Sequence, residues 1–344
     1  MSDKVVITDY SLVSPLGWGK DQHWQALKNK FIPQKYSLDV DEYALAEYLY
    51  SNIVMPEVAP ERIAVVLSNS KYNFRQGLDA SNFLDKFLAH NVSRFIASKI
   101  GSDCLHLNVA AACATGLLSV IKGVELLSSG QVDLVLSGSL EVSKVPLIEA
   151  AFSNLGVLSK KNKTASFSKD RDGFILGEGG ALFVLQRKAD VDSYLGVIAG
   201  SSYGADAYDT VAFGEFSHEY IRKLILNSLT QSNIDMPNYI NAHGTATKLN
   251  DEMEIRALAD WSNVPISSTK PLTGHLLGGT GSVELGLCML ALEKGMVLPN
   301  MNLQEPIAKF NFVKELQFLN DFNSFLTLNY GFGGHIAIMV VTKN

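Results

Sequence analysis

Two stretches of this chain follow the same local order. Residues 105–140 read as a strand, a small-residue turn, a long apolar helix, Gly130 and a further strand. Residues 266–299 repeat it as strand, glycine-rich turn, apolar helix, Gly295 and an extended segment. A helix that is apolar nearly all round has to be buried on every side. Further apolar runs at 5–8, 63–67, 134–137 and 181–185 read as buried strands, with helix-like segments between several of them. The pattern favours α/β layering around a mostly buried sheet. The first turn delivers Cys113 and the second His275. Two similar halves, 1–187 and 188–344, are therefore expected to meet at one site within one compact unit.

Composition narrows the class. The 344 residues are 47% hydrophobic and 19% charged, enough for a sizeable core and unlike a disordered or collagenous chain. A net charge of -6 argues against nucleic acid as a partner. Cys104, Cys113 and Cys288 are too few and too irregular for a disulfide framework or a CxxC metal site. The start, MSDKVVITDYSLVSPLG, lacks the apolar run of a signal peptide. The apolar stretch 271–298 is broken by His275, Glu284, Glu293 and glycines, so no membrane span is expected. A cytoplasmic protein is the simple reading.

The reactive residues each have a plain alternative. Cys113, in NVAAACATGLLSVIKGVELL, follows three alanines and opens the apolar helix. There the helix dipole should lower the thiol pKa, and small neighbours leave room for a substrate. Equally, it could be a small buried hydrophobe. Cys104 and Cys288 lack that setting and read as packing residues. His243, in NAHGTATKLNDEMEIRAL, ends an apolar strand before a Gly–Thr turn; Asn250 and Asp251 offer an N-cap to the next helix. It faces a cleft, or else it is a loop histidine bonded to backbone. His275 lies in STKPLTGHLLGGTGSVELGL, five residues after Lys270, among glycines that let backbone come close to a helix or a ligand. No GxxxxGK[ST] pattern and no helical i, i+4 ligand pair occurs, so neither a P-loop nor a zinc site is expected. NYGFGGHIAIMVV could hold backbone N–H groups of Gly331, Gly333 and Gly334 toward an oxyanion, or could form a tight strand connection.

Together these segments resemble the β-ketoacyl-ACP synthases of the thiolase superfamily, specifically the elongating Cys–His–His type. VVITDYSLVSPLG, AACATGLL, LSKKNKTASFSKDRDGFILGEGGALFVL, AHGTATKLND, KPLTGHLLGGTG and NYGFGG occur in the family's order over nearly the whole chain. SSYGADAYDTVAFGE resembles a gating loop at the active-site mouth. The resemblance implies a thiolase-like fold of two βαβαβαββ halves in five αβαβα layers. It implies that Cys113 takes an acyl group from a thioester. A malonyl thioester on an acyl carrier protein then loses carbon dioxide, with the neutral Nε2 donors of His243 and His275 stabilising the enolate that attacks the acyl carbon. The backbone N–H groups of Cys113 and Tyr330 would form the oxyanion hole, and Tyr330, Gly331 and Phe332 the gate. Lys270 would pair with Glu254, and Asp251 and Glu178 would belong to the same network. No cofactor is implied.

Departures shape the expectation further. The chain is shorter than typical members, mostly between Ser70 and Cys113, where the family forms its dimer contact and acyl pocket. His335 stands in place of the usual asparagine, and Tyr330 where phenylalanine is common. A specialised fatty-acid or polyketide-like pathway fits, as does a subunit of a ketosynthase heterodimer with a structural or chain-length role. An acyltransferase working without decarboxylation is the third possibility. Lys160, Lys161, Lys163, Lys169 and Arg171 form a basic cluster expected to dock the acidic carrier protein. Tyr72, Phe74, Phe83, Phe87 and Phe95 form an aromatic cluster expected to be covered in a dimer, homodimer ahead of heterodimer.

Overall fold

The computed structural model describes residues 4–71, 91–101 and 103–344. Eleven strands among these residues build the sheet, ten along its main path and a two-residue strand, Gly17–Trp18, folded back on the end of the first. The ten are, first, β1 (Val5–Ser14), β2 (Ile63–Ser68), β3 (Leu105–His106), β4 (Leu134–Glu141) and β5 (Gly179–Arg187). The chain continues with β6 (Gly196–Ala205), β7 (Tyr239–Asn241), β8 (Ile266–Ser267), β9 (Ser324–Gly331) and β10 (His335–Thr342). Their order is β3-β2-β4-β5-β1-β6-β10-β9-β7-β8. The second five repeat the first five from the opposite end. β2 runs parallel to β3 and β4, as β7 does to β8 and β9. β5 pairs antiparallel with β4 and β1, as β10 does with β9 and β6. Antiparallel pairing of β1 with β6 joins the halves.

Alternation along the strands sets the layers. In β4, Leu134 and Leu136 face one core while Val135 faces another. In β10, Ile336, Ile338 and Val340 face outward helices, and Ala337, Met339 and Val341 face inward. A period of two is what a sheet covered on both faces requires. The first outer layer is α2 (Glu42–Ser51) and α3 (Asn91–Ile100), which follow α1 (Gly19–Lys28). Between the half-sheets lies the apolar pair seen in the sequence, α4 (Thr115–Ser128) and, in the second half, the helix Thr280–Lys294. α5 (Pro146–Asn154) flanks the mouth of the site. The other outer layer is α6 (Ser217–Ser232) and α7 (Lys248–Ala257), and the helix Thr280–Lys294 is α8. These are the five αβαβα layers. Where α4 meets α8 the backbones touch: a Cβ on Gly281 would lie 2.7 Å from Leu117 N.

α7 starts earlier than its sequence suggests. Thr247 is its N-cap, and Asn250 and Asp251 fall in its first turn. Asp251 is turned back instead, accepting from the N–H of Ala246 at 3.1 Å. Among the described residues no helix is long and apolar enough to cross a membrane. Of the aromatic cluster, Phe95 packs edge-on against Tyr43, and Tyr72, Phe74, Phe83 and Phe87 lie outside the described residues.

Candidate active site

Both apolar central helices begin in the same way. A 3-10 turn, Ala112–Ala114, leads into α4, and another, Leu277–Gly279, leads into α8. Each opens on a left-handed residue, Ala112 at φ 47° and Leu277 at φ 48°. Non-glycine residues are strained there and persist only where their surroundings hold them. The first turn places Cys113 against a cavity of about 500 Å³ that His243, His275, Tyr330, Gly331 and Phe332 also line. Cys113 is 6% exposed. The lowered thiol pKa expected at the helix start is not found. Burial pushes the thiol up to about 11, outweighing the Lys71 and Lys270 ammonium groups that pull it down. The thiol is stored protonated, so its proton has to leave as the sulfur attacks.

The two histidines are held as the same tautomer. His243 Nδ1 lies 3.3 Å from Lys270 Nζ. An ammonium has only donors, so Nδ1 presents its lone pair and the ring proton is on Nε2. His275 Nδ1 accepts from the N–H of Leu277 at 3.0 Å and lies 3.1 Å from Thr280 Oγ1, which again leaves the proton on Nε2. The rings stand nearly perpendicular with centroids 5.7 Å apart. Burial first, then the Lys270 charge, drives both pKa values well below the ordinary histidine value. Both rings are neutral at pH 7, and each offers one Nε2–H donor.

Their support differs from the sequence expectation in two places. Lys270 pairs with Glu284, not Glu254, at 2.9 Å with both side chains 0% exposed. The other Glu284 oxygen accepts from Asn329 Nδ2 at 2.7 Å. The Glu254 oxygens instead accept from the N–H groups of His243 at 2.7 Å and Gly244 at 2.8 Å. Burial nevertheless pushes the Glu254 carboxyl up to about 8. Asp251 belongs beside it, accepting from Phe167 N–H at 2.7 Å and from Ala246 N–H. Glu178 does not. Its carboxylate binds the N–H groups of Leu38 at 2.6 Å and Lys144 at 2.8 Å and ties those two segments together. The sequence reading missed Glu284 and Glu141, although a carboxylate inside an otherwise apolar helix or strand has to be buried and partnered.

The mouth of the cavity is built from two loops. Gly333 and Gly334, at φ 84° and 73°, turn the chain from β9 into β10. Gly333 N–H donates to Thr210 O at 2.8 Å and Asp206 N–H to Gly334 O at 3.1 Å, joining this turn to the loop that follows β6; the first five residues of the segment expected as a gating loop, 201–205, belong to β6 itself. Phe332 stacks on Phe152 of α5, with centroids 6.0 Å apart. Tyr330 is paired with Ile336 in the sheet. The Gly331 backbone comes close to the Cys113 turn: a Cβ on Gly331 would lie 2.5 Å from Ala111 O and 3.0 Å from Cys113 N. His335 opens β10 opposite Ala205. The basic cluster is divided. Arg171 is 5% exposed and binds Ser168 O, Lys248 O and Glu252, so it is a structural cation and not part of a docking face. Lys161 and Lys163 pair with Asp170, and Lys169 with Glu305. Lys160 lines the cavity, and its backbone N–H donates to Asp172 Oδ2 at 3.0 Å.

Comparison with known proteins identifies the family. Residues 55–191 match the family model of the β-ketoacyl synthase N-terminal domain, and residues 195–304 that of the C-terminal domain. The actinorhodin polyketide putative beta-ketoacyl synthase 1 of Streptomyces coelicolor is 34% identical over 269 residues, covering 72% of this chain and 56% of that protein. The tetracenomycin polyketide synthase ketoacyl synthase alpha subunit of Streptomyces glaucescens is 30% identical, covering 77% of this chain and 66% of that protein. This chain thus spans under two thirds of the length of these relatives. A chain from the complex of a type II PKS acyl-carrier protein with its ketosynthase superposes with a TM-score of 0.89 at 21% identity, both chains fully covered. A chain of the Xenorhabdus doucetiae ketosynthase in complex with its chain length factor gives 0.86 at 22% identity, covering 99% of this chain and 98% of that one. The fold is the ketosynthase fold, and the chain belongs to the β-ketoacyl synthase family.

Proposed function

We propose that this chain catalyses a decarboxylative Claisen condensation between an acyl group on Cys113 and a malonyl thioester on an acyl carrier protein, in a specialised fatty-acid or polyketide-like pathway. The observation that carries the reading is one buried cavity lined by a thiol and two neutral histidines fixed as Nε2–H donors. Cys113 sulfur attacks the acyl thioester, the carrier thiol leaves with a proton, and the acyl group stays on the enzyme. The malonyl thioester then sets its carbonyl oxygen against His243 and His275. As carbon dioxide leaves, the two N–H donors stabilise charge developing on that oxygen. The resulting carbanion attacks the acyl carbon, and Cys113 is released as product forms. The oxyanion of each acyl-transfer step would be held by Cys113 N–H and a backbone N–H of the β9 end. Lys160, Lys161, Lys163 and Lys169 would steer the acidic carrier. Incubation with acyl- and [¹³C]malonyl-carrier protein tests this: acyl mass on Cys113 and labelled carbon dioxide are expected. Acyl mass on Cys113→Ala, or transfer to an amine or alcohol without carbon dioxide, would overturn it.

A second reading, as one subunit of a ketosynthase heterodimer, is favoured by the sheet edge. The edge strand β3 leaves Leu105 38% exposed, and Leu107 just beyond it is 37% exposed. An apolar edge strand of this kind invites a partner strand. Light scattering separates the cases: a dimer that condenses alone supports a homodimer. A monomer that is inactive until a related ketosynthase-like subunit is added supports the heterodimer.

A further inference from the structure

The turn bearing Cys113 and the turn after His275 are structural copies. Each starts on a left-handed residue and enters its helix at a threonine, Thr115 or Thr280. Counted back from those threonines, Gly278 is the counterpart of Cys113. The strands that close on the two turns are counterparts as well. β4 and β9 each have eight residues and occupy equivalent places in their half-sheets, so Glu141 corresponds to Gly331. In the Cys113 copy, Gly331 has no side chain to cover the Cys113 N–H. In the His275 copy, the equivalent strand position holds a carboxylate. Glu141 Oε2 accepts from Gly278 N–H at 3.2 Å, and from Ser70 N–H at 3.0 Å and Ser70 Oγ at 2.6 Å. A fixed anion therefore occupies the second half where the first half leaves space for a transient one.

We infer that Glu141 is a positioning residue for His275: by holding Gly278 N–H it locks Leu277 in the left-handed conformation that aims Leu277 N–H at His275 Nδ1. Leucine is strained at φ 48°, so the turn needs such an anchor. The fit is close, since a Cβ on Gly278 would lie 2.7 Å from Glu141 Oε2 and 2.6 Å from Ser70 Cβ. Glu141 is 1% exposed. Burial raises its carboxyl pKa, and Lys71 and the Ser70 bonds draw it back down. The consequence for decarboxylation rests on the role proposed for His275; the positioning itself does not.

The test uses the full chain with ¹⁵N-labelled imidazoles, as wild type, Glu141→Gln and Glu141→Ala. Wild type should show His275 as a single Nε2–H tautomer. Glu141→Gln should keep it, because the amide oxygen still accepts from Gly278. Glu141→Ala should mix the tautomers and slow malonyl decarboxylation about 100-fold, the scale of a misplacement near 1 Å, while Cys113 still acylates at close to the wild-type rate. A fixed tautomer in Glu141→Ala, or equal losses in the Gln and Ala variants, overturns the inference. Mixed tautomers with undiminished decarboxylation would leave the positioning standing and remove His275 from the proposed chemistry. If circular dichroism shows Glu141→Ala unfolded, Gly278→Ala displaces the carboxylate from the other side. An unchanged His275 tautomer there also overturns it.

Discussion

The glycine at 331 should be a sensitive position, because it lies against the nucleophile turn. An alanine Cβ there would lie 2.5 Å from Ala111 O and 3.0 Å from Cys113 N. Non-bonded atoms settle near ~3.5 Å, so the two backbones have to part by about 1 Å. Neither can yield easily. Gly331 is the last residue of β9, paired with His335, and Ala111 precedes the strained Ala112. Displacing the Cys113 turn by that amount should slow acyl transfer about 100-fold, or about 2.7 kcal/mol in barrier. Overpacking should cost about 1–3 kcal/mol of stability, which leaves a folded protein to assay. Mass spectrometry of Cys113 acylation against time measures the first, and denaturant unfolding the second. Gly286→Ala is the control, because its Cβ would meet Leu12 at an ordinary 3.4 Å. It should acylate normally and gain up to about 1 kcal/mol from helix propensity. A Gly331→Ala protein that acylates at the wild-type rate would refute the view that this glycine keeps the nucleophile turn open.

Other perturbations follow from the same contacts. Lys270→Ala leaves Glu284 buried without its partner and should destabilise the fold by about 3–5 kcal/mol, read as a fall in denaturation midpoint; a loss below 1 kcal/mol would contradict the buried pair. Iodoacetamide labelling of Cys113 should rise about tenfold per pH unit from 7 to 9 without levelling, because the thiolate fraction is still climbing below a pKa of about 11. Lys71→Met removes a charge that lowers that pKa, so labelling at any fixed pH should slow; faster labelling would reverse the assigned sign. Charge reversal at Lys160 and Lys161 should raise KM for carrier-bound substrates and leave small thioester mimics unchanged, and equal effects on both would point to misfolding.

The parts of the site that were legible in the sequence are those fixed by local periodicity. Cys113 and His275 sit in turns between an apolar strand and a helix with no polar face, and such a helix can only lie between two sheets. His243 follows a strand that the same sheet places beside them. The duplicated strand order then brings the three turns to one end of the molecule. The basic loop was read less well because formal charge does not reveal depth. Arg171 and Lys160 are eleven positions apart in a polar stretch, yet one is closed over by α7 and the other lines the cavity.

The pairing of charges was the least accessible, for a physical reason. Lys270 had two acidic candidates, Glu254 and Glu284, each on a helix beginning near a histidine. Which one takes the ammonium depends on what else competes for each carboxylate. Glu254 faces the two N–H groups that follow β7 and accepts from both, so its burial is offset by backbone donors. Glu284 faces inward from α8, fully buried, where Asn329, Thr269 and Lys270 are its polar company. The ammonium goes where it is needed to offset a buried charge. From there it also fixes the His243 tautomer, since it can only donate to Nδ1. The proton on His243 Nε2 is thus decided by a lysine whose own position is decided by a glutamate on another helix. His275 reaches the same tautomer by another route, from a neighbouring backbone N–H. Removing Lys270 should therefore release the His243 tautomer while leaving that of His275 in place.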